Sequence, residues 1–271
     1  MTDPFRIRAH VPDFEAIAAD YTRLSDAARA QWRSQCDVVY GDGPDERLDL
    51  FFPEQLDGPA PIHIFIHGGY WRANYKEDYA FIAAPVIAAD GIAVIVDYSL
   101  MPKARMATLV DQVRRAAAWV ADHAAEFGGD PLRISASGQS AGAHLAFYLG
   151  AKGAGEAAFP TAPVAATLLV SGVYDLAPIA ESFLQAEIAL TQEEIAAWSP
   201  IDATAKPGVA MRIVVGADET APFHTQAAAL AERNGLTVET LPGINHMTIA
   251  RELGVVGSDA ARILAEVVRA S

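Results

Sequence analysis

One cysteine, Cys36, stands in 271 residues, so no internal disulfide can form and no cysteine-rich metal site can be assembled. Cations are also scarce. Twenty Lys and Arg oppose 34 Asp and Glu, a formal net charge of −14, and only four of the cations are Lys. A surface of that sign repels nucleic acid. No apolar run approaches the ~20 residues of a membrane span, and residues 1–6 lack the basic and then apolar pattern of a secretory signal. These absences lead us to expect a cytoplasmic protein that acts on a small molecule, with neither nucleic acid nor membrane as partner. They leave association as a homodimer open. What is present is an ordinary globular composition, 52% hydrophobic and 20% charged, in a chain long enough for one large core.

Residues 13–33 carry apolar side chains at helical spacing (Phe14, Ile17, Tyr21, Leu24, Ala28, Trp32), so segment 1–46 is expected to be an N-terminal helical region. Short β-like runs follow at 47–53, 61–67 and 91–98. The last two are apolar almost throughout, as strands covered on both faces should be. Residues 106–127 read as an amphipathic helix closed by Gly128-Gly129, and 132–137 as a strand feeding a helix that begins near Ser140. Further strands are expected at 164–171, 211–216 and 238–241, and a final helix at about 258–269. This alternation predicts a single α/β domain over residues 1–271, with a mostly parallel, doubly wound sheet and helices on both faces. Residues 175–206 break the rhythm, and the Thr191 to Glu194 spacing of a capping box marks a small helical, cap-like insertion there.

The segment that carries chemistry is Gly138-Gln139-Ser140-Ala141-Gly142, between a strand and a helix. Gly-x-Ser-x-Gly is needed there for steric reasons: the serine occupies a sharp, strained turn, and only bare Cα positions on either side let strand and helix approach. Ser140 is the candidate nucleophile, and the N–H of Ala141 is free to donate to an oxyanion at the helix start. Upstream, a strand ends in His67-Gly68-Gly69-Tyr70-Trp71. Paired glycines let main-chain N–H groups turn toward an oxyanion, which makes Gly68 and Gly69 further donor candidates.

A serine nucleophile needs a base, and on this fold the order along the chain is serine, acid, histidine. His144 lies one turn beyond Ser140 and is expected to pack within its helix, which leaves His224 and His246. His246 is preferred because it follows the strand and turn at 238–243, from which a loop reaches over the sheet edge. His224 sits within an expected helix at 222–233. For the acid, Asp218 ends the strand at 211–216, with Glu219 beside it. Asp175 also follows a strand, but its place suits a turn or cap residue, so Asp218 is preferred. Tyr70 and Trp71 are candidate substrate-binding residues, with Phe183 and Trp198 of the insertion as further apolar walls. Arg72, Asn74 and Lys76 are candidates to meet a substrate carboxylate. His63 and His67 share a strand face, but no third ligand completes a metal site, and no cofactor is expected.

Together these residues resemble the α/β-hydrolase superfamily, in its His-Gly-Gly esterase and lipase branch. More narrowly, the chain is similar to the kynurenine formamidase (arylformamidase) group. That likeness rests on the region of Tyr21 and Trp32, Val39-Tyr40-Gly41, Leu48 to Pro53, His67 to Trp71 with Lys76, Asp97-Tyr98-Ser99-Leu100 with Pro102, Ser140 to Leu145, and Gly216 to Phe223 with Gln226. The residue before Ser140 is Gln139, where a histidine is common in that group. The resemblance implies Ser140 as nucleophile, Asp218 and His246 as its partners, and oxyanion donors from Gly68, Gly69 and Ala141. It further implies cleavage of an aryl formamide such as N-formylkynurenine through a formyl-enzyme. A carboxylesterase for short-chain or aryl esters is the alternative, and a non-catalytic binding protein on a hydrolase scaffold is a third reading.

Overall fold

The computed structural model describes residues 2–271. The two most apolar runs form Ala60–Ile66 (β3) and Ile92–Val96 (β4), buried at every position and parallel to one another, because strands with no polar face must be covered on both sides. Arg33–Val39 (β1), Arg47–Phe52 (β2), Gly129–Gln139 (β5), Val164–Val170 (β6), Ala210–Gly216 (β7) and Val238–Leu241 (β8) complete an eight-stranded sheet of order β1-β2-β4-β3-β5-β6-β7-β8. Only β1–β2 and β2–β4 are antiparallel. All pairings from β4 to β8 are parallel, and this aligns the carboxyl ends of β3, β5, β6 and β7 along one rim.

Segment 1–46 is not wholly helical. It holds Ile7–His10 and Phe14–Gln31 (α1) as helices, but also β1 as an edge strand. Seven residues with one exposed face and a register shift between Gln35 and Val38 carry no alternation to read, so the strand is silent in the sequence. Met106–His123 (α2) ends in a 3-10 turn, and Gly128 at φ 84° closes it. Residues 175–206 hold three short α-helices and a 3-10 turn, and the α-helix Gln192–Trp198 begins with the Thr191–Glu194 capping box. No helix among the described residues is long and apolar enough to cross a membrane.

Candidate active site

The turn between β5 and Ala141–Phe147 (α3) holds Ser140 at φ 58°, ψ −121°, a conformation a side-chain-bearing residue adopts only when its surroundings impose it. They do so here. The Ser140 N–H donates to Val170 O at 2.9 Å, and the Ser140 carbonyl accepts from the N–H groups of Ala143 and His144. A Cβ on Gly138 would lie 2.1 Å from Gly142 O, and one on Gly142 would lie 2.0 Å from Ile66 O. Both glycines are therefore required by the closeness of β3, β5 and α3.

His246 is the first residue of the helix His246–Leu253 (α4), and not part of a free loop. Asn245 caps that helix by accepting from the N–H groups of Met247 and Thr248, and Tyr21 of α1 donates to Met247 O at 2.6 Å. The ring is thus fixed from two sides, with Phe223 packed on it at 4.2 Å between centroids.

Behind the ring stands Glu219, and not Asp218. His246 Nδ1 lies 2.7 Å from Glu219 Oε2, and the glutamate side chain is fully buried. Its other oxygen accepts from the Ser171 hydroxyl and from Gly216 N–H at 3.0 Å, so the carboxylate is bonded through both oxygens. Asp218 is exposed. The cause is the turn after β7: Asp218 N–H donates to Ile244 O and Glu219 N–H to Gly216 O, which swings Glu219 back under the rim. Asp175 caps its own turn, accepting from Ala177 N–H at 2.9 Å. His224 lies within the helix Ala221–Asn234, outside the cavity that Ser140 and His246 share.

On its other side, His246 Nε2 meets the Gln139 side-chain nitrogen at 3.3 Å, and the same nitrogen lies 3.1 Å from the His246 carbonyl oxygen. A carbonyl can only accept, so this end of Gln139 is the donating NH2. Nε2 therefore accepts, and the proton sits on Nδ1, facing Glu219. Gln139 thereby selects the tautomer in which Nε2 carries the lone pair. No hydrogen bond joins Ser140 Oγ to Nε2 in this arrangement.

Gly68 packs directly against the elbow. A Cβ there would come within 3.3 Å of Ser140 Cβ and 2.7 Å of Gln139 Oε1. Gly69 takes φ 109°, and the N–H groups of Gly68, Gly69 and Ala141 donate to no acceptor among the described residues. Three N–H groups without acceptors beside one serine can receive a negative oxygen.

Ser140, Gln139, His246 and Gly69 line a cavity of about 550 Å³ together with Phe5, Phe14, Tyr70, Tyr79, Phe183 and three arginines. Tyr70 belongs to it, its hydroxyl donating to Phe5 O at 2.8 Å. Trp71 does not. It is wholly buried, with Nε1 donating to His144 Nδ1 at 3.3 Å. Trp198 also lies outside, against Tyr148, its carbonyl accepting from His144 Nε2 at 2.8 Å. Arg72 and Asn74 line the cavity, whereas Lys76 is buried in an ion cluster with Asp37, Asp49 and Glu77. His63 is likewise absorbed by structure, its two nitrogens meeting Ser135 and Ser137 hydroxyls at 2.9 and 2.7 Å.

Sequence reasoning gave no part to the first residues of the chain, yet they strap over the cavity. Asp3 accepts from Phe183 N–H at 2.8 Å, Pro4 O accepts from the Thr220 hydroxyl at 2.9 Å, and Phe5 sits edge-on to Phe223. Contacts between residues hundreds of positions apart leave no local signal.

A family model described as BD-FAE matches residues 48–233. The chain is 29% identical to the kynurenine formamidase of Salmo salar over 253 residues, covering 88% of this chain and 84% of that protein. It is 33% identical to the kynurenine formamidase of Danio rerio over 195 residues, covering 72% of this chain and 62% of that one. A solved structure from Silicibacter sp. tm1040 superposes with a TM-score of 0.82 at 23% identity, covering 98% and 97% of the two chains.

Proposed function

Because the chain belongs to the BD-FAE family and is a hydrolase of α/β-hydrolase fold, we propose that it cleaves an aryl formamide of the N-formylkynurenine type. In this reading Ser140 is the nucleophile, His246 the proton carrier and Glu219 the group that holds the imidazole. The observation that carries it is the 2.7 Å contact between Glu219 Oε2 and His246 Nδ1, on a ring that shares one cavity with the Ser140 elbow. A carboxylate behind Nδ1–H orients the ring and stabilises the imidazolium that forms during attack.

In the reaction, Nε2 exchanges the Gln139 amide for the Ser140 proton, and Oγ adds to the formyl carbon. The oxygen that becomes negative receives the N–H groups of Gly68, Gly69 and Ala141. Collapse of the tetrahedral intermediate breaks the C–N bond, and the imidazolium protonates the departing arylamine, which leaves a formyl-serine. Water gives a proton to His246 and attacks this ester, releasing formate and restoring the serine hydroxyl. The formyl side needs little room. The aromatic leaving group has walls in Phe5, Tyr70 and Phe183.

Turnover of N-formylkynurenine measured beside that of p-nitrophenyl acetate tests the proposal. Deformylation at the higher kcat/KM supports it. Ester cleavage without detectable deformylation overturns the formamide reading in favour of a carboxylesterase, and failure of a fluorophosphonate probe to label Ser140 overturns the nucleophile and favours a binding protein.

A further inference from the structure

The cavity is unusual for this chain in its sign: Arg6, Arg8 and Arg72 line it against two carboxylates, Asp78 and Glu187, while the chain as a whole carries −14. Two of the three arginines are already occupied. Arg8 pairs with Glu15, and Arg6 Cζ lies over the Phe183 ring, 4.1 Å from its centroid. Asp78 is occupied as well, accepting from Tyr75 N–H at 3.0 Å.

Arg72 differs from the other two. It lies in the turn that follows the oxyanion glycines, its own N–H bonded to Gly69 O at 3.1 Å, so its Cα is fixed relative to the Ser140 elbow. Nη1 meets Glu187 Oε2 at 2.8 Å. Nε is shielded from water and has no acceptor among the described residues, and the Glu187 contact runs through Nη1 rather than Nη2. A shielded N–H without an acceptor is destabilising, and a ligand oxygen placed there would relieve it. Nε and Nη2 form one edge of the planar guanidinium, with two parallel N–H bonds at the spacing of two carboxylate oxygens. Glu187 cannot serve that edge while it holds Nη1.

We propose that the free Nε–Nη2 edge of Arg72 is the receptor for a carboxylate on the leaving group of the substrate, and so a specificity-determining element of this site. It rests on the reading above for the position of the reacting carbon, and it narrows the substrate class to anionic aryl compounds. The aromatic ring lies along Tyr70 and Phe183, the carbonyl to be attacked faces Ser140, and the carboxylate meets Arg72. Glu187 becomes the counter-charge that holds the guanidinium plane still.

The test compares two matched substrate pairs that differ in a carboxylate. The formamide pair is 3-(2-formamidobenzoyl)propanoate and 2-formamidoacetophenone; the ester pair is 3-(4-acetoxyphenyl)propanoate and 4-ethylphenyl acetate. The readout is the ratio of kcat/KM, anionic over neutral, in the wild type and in Arg72→Gln, Arg72→Lys and Glu187→Gln. A charged fork is worth roughly one to two decades, so Arg72→Gln should lower the ratio about 10- to 100-fold, mainly through KM, with partial recovery in Arg72→Lys. Glu187→Gln breaks the same ion pair but keeps the fork, and should preserve the preference. Equal ratios in the wild type and Arg72→Gln overturn the proposal, as does an equal loss in Arg72→Gln and Glu187→Gln, which would reduce Arg72 to a strut. If only the ester pair is turned over, the formamide reading fails while the ester ratios still decide the role of Arg72.

Discussion

In the middle of the sheet, His63 of β3 meets the hydroxyls of Ser135 and Ser137 on β5 at 2.9 and 2.7 Å. Beyond the end of the same strand, Ser140 and His246 share a cavity without being hydrogen-bonded to each other. The tighter serine–histidine contact is the inert one. Both His63 nitrogens are taken, no carboxylate stands behind the ring, and burial pushes its pKa down to about 3, so it stays neutral. The looser cluster has what chemistry requires: a buried carboxylate on Nδ1, a lone pair on Nε2, N–H groups without acceptors, and room for a ligand. Proximity of residue types identifies neither cluster. Access and the unfilled hydrogen-bond positions do.

The largest expected contrast follows from this. Ser140→Ala should lower kcat by at least about 10⁴-fold with the thermal midpoint held, whereas Ser137→Ala should keep kcat near wild type and cost about 1–3 kcal/mol in denaturant unfolding, since His63 loses a buried partner. Comparable kcat losses in the two variants would erase the distinction.

The acid comes next. Glu219→Gln should cost about 10³- to 10⁴-fold in kcat by losing the charge that holds the tautomer, while Asp218→Asn, at an exposed position, should leave kcat close to wild type. A larger loss at Asp218 would mean that the turn after β7 rearranges during turnover.

Third, Lys76→Met should destabilise the fold by about 3–5 kcal/mol, because Asp49, about 1% exposed on its side chain, loses its ammonium partner at 3.0 Å. KM should not follow, since Lys76 lies outside the cavity. A raised KM at unchanged stability would return Lys76 to substrate binding.

The smallest effect is in the pH dependence of stability. His63 titrates at about 3 and His144 at about 4 in the folded chain, both depressed by burial from an ordinary 6.5. Between those values and 6.5 the unfolded chain binds protons that the folded chain refuses, so stability falls as pH drops through this window. Each histidine contributes a slope of at most about 1.4 kcal/mol per pH unit. Replacing His144 with Gln should flatten the limb between about pH 6.5 and 4 in urea unfolding, and an unchanged limb would show that the ring protonates within the fold.

Where the sequence could be read, one steric or hydrophobic rule acted locally and without competition. Gly138 and Gly142 had to be glycine for strand and helix to touch, so the elbow and Ser140 were legible, as were β3 and β4 from their unbroken apolar runs and the α/β class from the alternation of elements. Tertiary structure alone decided matters in which neighbours differ only in direction. Asp218 and Glu219 are adjacent carboxylates, and one turn sends the first into solvent and the second to His246. Trp71 and Tyr70 follow the same glycines, both at positive φ, yet one enters the core and the other the cavity. The strap of residues 3–8, the role of Gln139 and the free edge of Arg72 exist only through contacts across the chain, and no local pattern encodes a contact whose other half lies a hundred or more residues away.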